Sequence, residues 1–181
     1  MNRFRQTRGF TLVETVVTLA ILAIFLAATG GILLSSMDIF SRAASQNEMK
    51  MAGDAVYSYY ENILSCAMTV TSDADVQETG GLKVREGTLY YCPPGGDTFS
   101  DVYGEDFYHG CTLGVSLSLS GVTMTLTVTV TNANGASYEK ASVFKLLNIA
   151  AGVPGADASG FTASDTGEVY FTLEPTAAEA P

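Results

Sequence analysis

Glu14 is the side chain best placed to do chemistry, because of the company it keeps. It follows Arg8-Gly9-Phe10-Thr11-Leu12-Val13 and precedes Thr15–Met37, a run of 23 residues without a charge. A carboxylate at the centre of a membrane helix costs about 2.5–3.5 kcal/mol on insertion scales, and less near the interface. A charge kept beside such a run therefore calls for a partner. Other reactive groups are few. His109 is the only histidine, with Tyr108 and Cys111 close in sequence, and nothing orients a Cys/His pair for nucleophilic catalysis. Cys66, Cys92 and Cys111 form an odd set with no CxxC, which suits neither a full disulfide framework nor a tetrahedral zinc site. If the body is exported, Cys92 with Cys111 is the expected disulfide, since both lie in a loop-rich region; the alternative is three free or buried thiols. Asp97, Asp101, Glu105 and Asp106 offer oxygen ligands for calcium but lack the alternating spacing of an EF-hand loop, so a solvated acidic loop is expected. No phosphate-binding glycine loop or serine-nucleophile motif occurs, and neither an enzyme nor a bound cofactor is expected.

The elements that position Glu14 begin with a basic leader. Arg3, Arg5 and Arg8 are three of nine basic residues in 181, against nineteen acidic ones. Without residues 1–9 the chain would hold six basic and nineteen acidic groups, a net charge near −13. An acidic body of that kind excludes direct nucleic-acid binding by a basic face. As a helix at about 1.5 Å per residue, the uncharged run reaches roughly 35 Å, enough for a hydrocarbon core of about 30 Å. Basic residues ahead of it place the N-terminus in the cytoplasm and the rest outside.

Three readings of this segment compete: a secretory signal peptide cut near Ala27-Ala28, a plain single-pass anchor, and a leader removed ahead of an apolar helix that stays on the protein. The first two gain nothing from Glu14. The order of basic residues, Gly9-Phe10-Thr11-Leu12, Glu14 and an uncharged run closely resembles the cleavage and methylation motif of type IV prepilins and type II secretion pseudopilins, over about residues 5–35. The resemblance implies that a prepilin peptidase cuts between Gly9 and Phe10 and methylates the Phe10 amine. It implies assembly with other pilin or pseudopilin subunits on a pilus assembly platform, with Glu14 as the assembly residue. It also implies a single-pass stage in the cytoplasmic membrane, head outside, before the filament or cell surface. Calcium in the head is known in some pseudopilins. The new amine is a cation one turn from Glu14, and opposite charges within about 4–6 Å in a low-dielectric bundle relieve each other's burial cost. The amine that Glu14 meets is either its own or a neighbouring subunit's. Where many major pilins carry a proline, this chain has Gly30-Gly31, suited to bending or to close helix packing.

Beyond Asp38 the pattern turns amphipathic. Ala44, Ala52, Ala55, Val56, Tyr59 and Ile63 recur at helical spacing, and no proline precedes Pro93. One helix from about Thr11 to about Leu64 is expected, with Tyr57, Tyr59 and Tyr60 packing under a sheet rather than forming a binding platform. The expected division is a leader over 1–9, a membrane or filament-core helix over 10–37, an outer helix half over 38–66, and a β head over 67–181 with a flexible tail. Strands are expected near Gly81–Arg85, Thr88–Tyr91 and Glu168–Leu173. The strongest signals are Val115–Ser120, where apolar residues alternate with Ser, and Val122–Thr131, where they alternate with five threonines. Gly121 and Asn134-Gly135 mark turns, and a third strand follows from Ser137. The Ser/Thr rows read as the wet side of a half-buried sheet. The fold class is α+β, a long helix packed on a small antiparallel sheet. The expected function is structural, as a minor pilin or pseudopilin; the competing class is a tethered or secreted binding module with a conventional signal or anchor. Pilus, competence and type II secretion systems are not separable by sequence.

Overall fold

The computed structural model describes residues 11–72 and 79–174. Helix α1 runs over Leu12–Ser65. The strands that follow are β1 (Thr69–Thr71), β2 (Gly80–Arg85), β3 (Thr88–Cys92), β4 (Ser100–Asp101), β5 (Thr112–Ser120), β6 (Thr123–Thr131), β7 (Ser137–Lys145), β8 (Ala163–Ser164) and β9 (Val169–Thr172). A 3-10 turn at Glu105–Tyr108 and the one-turn helix α2 at Leu147–Ala150 complete the set. The chain divides into two compact units, Met1–Ala44 and Ser45–Pro181.

The first unit is helical from Leu12 onward. Its apolar side chains, from Leu12 to Phe40, are all largely exposed. The hydroxyls in this stretch bond to carbonyls a turn back, Thr15 to Thr11 O, Thr18 to Glu14 O at 2.7 Å and Thr29 to Phe25 O at 2.8 Å. A threonine satisfied this way presents its methyl to an apolar surrounding without an orphaned donor. Gly30 and Gly31 are helical, and a Cβ on either would meet nothing within 4 Å.

The second unit is the α+β body. The α1 residues buried in it are Met49, Ala52, Gly53, Val56, Tyr57, Tyr60 and Leu64, spaced by threes and fours. This face is turned from the expected one: Ala44 is exposed, and Ala55, Tyr59 and Ile63 lie at its margin. Tyrosine accounts for the difference. Tyr57 and Tyr60 carry enough apolar ring area to define the buried face, whereas the alanines contribute little.

Two antiparallel sheets stand where one was expected, in the orders β1-β9-β2-β3-β4 and β7-β6-β5-β8. The expected meander is the core of the second, with β5, β6 and β7 paired over nine positions each. In β6, Met124, Leu126, Val128 and Val130 are buried while the five threonines stay at the other face. The inner faces of both sheets share one core with α1, which includes Leu82, Leu89, Val169 and Phe171 from the first sheet. The β2–β3 hairpin turns on Glu86 and Gly87, both at positive φ (54° and 79°), the backbone of a tight two-residue turn that suits the strand twist. The β6–β7 hairpin turns at Asn134-Gly135 as expected, with the Asn132 side-chain carbonyl accepting from the N–H groups of Asn134 and Ala136, both at 3.0 Å.

Candidate functional site

The candidate site is the first turn of α1. Gly9 and Phe10, the expected cleavage position, lie outside the described residues. Thr11 stands just ahead of the helix, and the Glu14 N–H donates to Thr11 Oγ1 at 3.3 Å. Thr11-Leu12-Val13-Glu14 is thus a capping-box sequence, with Thr at the cap and Glu at the third helical position. The sequence reading passed over this signal although it is legible in four residues. It gives Glu14 a second task, since a carboxylate in the first turn also complements the positive end of the helix dipole. The carboxylate is solvent-exposed, and among the described residues no basic group pairs with it. Beyond it, α1 is long and apolar enough to cross a membrane. The next charges are Asp38 and Arg42, one turn apart and joined at 2.9 Å in the open, a pair of small energetic weight.

The body holds the other candidates. His109 is exposed at the end of the 3-10 turn, in the left-handed region at φ 49°. In the acidic loop the Asp101 carboxylate accepts backbone N–H groups of Tyr103 and Gly104 at 3.1 and 3.0 Å, closing a turn. Among the described residues no three metal-ligating side chains gather.

The expected Cys92–Cys111 disulfide is not present; all three cysteines are free thiols. The reason lies in the strands. Cys111 adjoins Thr112, and Leu113 N bonds to Gly87 O at the turn before β3. Cys92 closes the far end of β3, four residues beyond Thr88 and so about 13 Å along the strand. A disulfide needs Cα atoms within about 7 Å. The buried Cys92 thiol donates instead to Gly96 O at 3.2 Å. Burial pushes the Cys111 thiol above its ordinary range.

The tyrosines pack, as expected. Tyr60 is fully buried and its hydroxyl donates to Gly167 O at 2.7 Å. Tyr59 meets Tyr91 and Tyr103 edge-on at ring distances of 5.9 and 6.0 Å. Burial raises Tyr108 to about 12, and its hydroxyl accepts from Leu89 N. A polar strut between α1 and β7 joins residues more than eighty positions apart, which no local pattern discloses. Asp54 Oδ1 accepts from Lys140 Nζ at 2.8 Å and from the Tyr138 hydroxyl at 3.1 Å. The Lys140 hydrogen bond holds the Asp54 carboxyl below its usual range, and the same bond raises Lys140. Gly53 makes this approach possible, because a Cβ there would stand 2.8 Å from the Tyr138 ring.

The whole is an α+β body behind a helix with a capped, acidic first turn and a long apolar stretch. Residues 4–30 match the family model of the prokaryotic N-terminal methylation motif, the signature of type IV prepilins and pseudopilins. That match spans Gly9, Phe10, Thr11 and Glu14 and ends before the body. No curated protein and no solved structure matches the chain.

Proposed function

We propose that this protein is a minor subunit of a type IV pilus-like or pseudopilus filament. A prepilin peptidase cuts after Gly9 and methylates the Phe10 amine. The subunit waits in the cytoplasmic membrane as a single-pass protein with its body outside, then enters a filament through α1, on an assembly platform that draws on other pilin subunits. The role is structural, with no reaction catalysed and no cofactor held. The observation that carries this reading is the methylation motif over residues 4–30, continuous with a helix whose large apolar side chains from Leu12 to Phe40 are exposed. Glu14 supplies the register. Alone in lipid the carboxylate and the Phe10 amine are both unfavourable; docked, the Glu14 of one subunit and the amine of a neighbour neutralise each other.

Two measurements test it. Mass spectrometry of the mature chain gives an N-methylated Phe10; a start at Met1 or near residue 29 overturns the reading. Thr11→Ala and Glu14→Gln then separate the two tasks of the first turn. Glutamine keeps the capping-box geometry and removes the charge. Glu14→Gln is expected to leave membrane insertion intact and to lower filament incorporation about tenfold or more, the scale of a lost buried ion partner. Thr11→Ala loses the cap alone and assembles near normally. Equal incorporation of Glu14→Gln and the parent refutes the docking role.

A further inference from the structure

Residues 93–99, the connection from β3 to β4, fold back over the outer face of the first sheet. Gly81 has Cys92 and Tyr170 as cross-strand partners, so these three share that face, while Leu82, Leu89, Val169 and Phe171 line the core side. Phe99 lies against Gly81. A Cβ on Gly81 would stand 2.7 Å from the Phe99 ring, so any larger residue displaces it. The Lys83 ammonium sits 3.6 Å from the centroid of the same ring, a cation–π contact. Cys92 lies beneath the connection. It is only 5% exposed, and its thiol donates to Gly96 O at 3.2 Å.

The connection is fastened by side chains rather than by main chain. Pro93-Pro94-Gly95-Gly96 closes on itself, with Gly96 N bonded to Pro93 O at 2.9 Å. Proline stands second in this turn and Gly95 third at φ 74°, the pattern of type II. Among the described residues no other backbone–backbone hydrogen bond involves residues 93–99. Pro93, Pro94, Asp97 and Thr98 are exposed. Beside Phe99, the contact with the sheet is Pro94, whose Cδ a Cβ on Gly80 would meet at 2.9 Å. A segment with so few ties opens at a free energy well below that of global unfolding. We propose that residues 93–98 form a strap that opens locally on a folded body, that the Phe99 ring on Gly81 is its latch, and that the closed strap is what shields the Cys92 thiol. Cys92 belongs to the outer face of its sheet, so the core stays closed when the strap lifts. Thiol chemistry needs access, and the reactivity of Cys92 therefore reads the open population of the strap. The device is independent of the filament reading, and it sets how fast an oxidising space reaches this thiol.

The test alkylates the full chain in detergent with iodoacetamide. The Cys92 thiolate forms the S–C bond, iodide leaves, and mass spectrometry of the Cys92 peptide follows the reaction over time. When closing outpaces alkylation, the rate tracks the open population. Phe99→Ala removes the latch and is expected to raise the Cys92 rate about tenfold or more over the parent. It is expected to lower the melting midpoint less than Tyr60→Phe does, because Phe99 is half-buried and lies outside the core cluster. Gly81→Ala pushes the ring off from beneath and is expected to act in the same direction. Tyr60→Phe is the control, since it weakens the core and leaves the strap untouched; its Cys92 rate is expected to stay within about twofold of the parent. A rate within about twofold of the parent in either latch variant overturns the proposal, because the ring then holds nothing closed. A rise in Tyr60→Phe equal to that in Phe99→Ala overturns it as well, because the thiol is then reached by global unfolding.

Discussion

Tyr60→Phe removes one oxygen from the centre of the body and nothing else. Tyr60 is completely buried, and its hydroxyl donates to the carbonyl of Gly167, itself buried, at 2.7 Å. The ring stays in place after substitution, so apolar burial is conserved and no cavity beyond one oxygen opens. What changes is the Gly167 carbonyl, which loses its donor in a site closed to water. A buried acceptor left unpaired costs about 1–3 kcal/mol, whereas replacement of both partners is near neutral. For a body of this size each kilocalorie lowers the midpoint by roughly 3–5 °C, so a fall of about 3–15 °C is expected. The chain has nine tyrosines and no tryptophan, so near-ultraviolet circular dichroism of the full chain in detergent follows the melt directly. Tyr57→Phe is the control. Tyr57 is also buried, but its contact is the Lys140 ammonium over its ring at 4.4 Å, which phenylalanine retains. A Tyr60→Phe midpoint within 1 °C of the control would refute the reasoning, because Gly167 would then find another donor and α1 would not be pinned to the β8–β9 segment.

Two further predictions concern thiols and charge. Thiol titration of the full chain is expected to give three equivalents after denaturation and one fast equivalent before it, from Cys66, with Cys92 silent and Cys111 slow; two missing equivalents would restore the disulfide. Asp54→Asn is expected to cost under about 1 kcal/mol, because the Asp54–Lys140 pair is partly exposed. Its pH dependence follows from the shifts. The lowered Asp54 contributes stability that is present above the usual carboxylate range and is lost as pH falls through its folded value. The raised Lys140 contributes stability that is lost only as pH rises past the usual lysine range. Parent and variant melting curves should thus differ most across about pH 5 to 9 and draw together as pH falls below the usual carboxylate range; an offset that does not shrink on acidification would rule out the ionic strut.

The sequence disclosed the parts whose pattern is local. α1 showed through its uncharged run and its lack of proline, and β5–β7 through strict alternation over Val115–Thr131 and the Asn134-Gly135 turn. β1, β4 and β8 are two or three residues long, too short for any period to emerge. The division into two sheets was hidden for a different reason, since β9 pairs with β1 a hundred residues earlier, and no local pattern encodes such a partner. The buried face of α1 keeps the expected Ala52 and Val56 but is turned toward Met49 and Leu64, away from Ala44 and Ala55. The methylation motif over residues 4–30 was legible because it is a contiguous run of residue types, whereas the hydrogen bond from Glu14 N to Thr11 belongs to the folded helix.

The place of β9 has a consequence for timing. It lies between β1 and β2, so the first sheet has a gap at its middle until Val169–Thr172 arrives. Chains that emerge amino-end first can form α1 and the β5–β7 meander early, but the first sheet stays open until translation has passed residue 172. Loop closure over a hundred residues is slow beside local pairing. A chain that stops before Val169 leaves Val70 and Leu82 without their strand partners in the first sheet, and such an open sheet is exposed to proteolysis. The late strand works as an inspection step, which a chain lacking Val169–Thr172 does not pass.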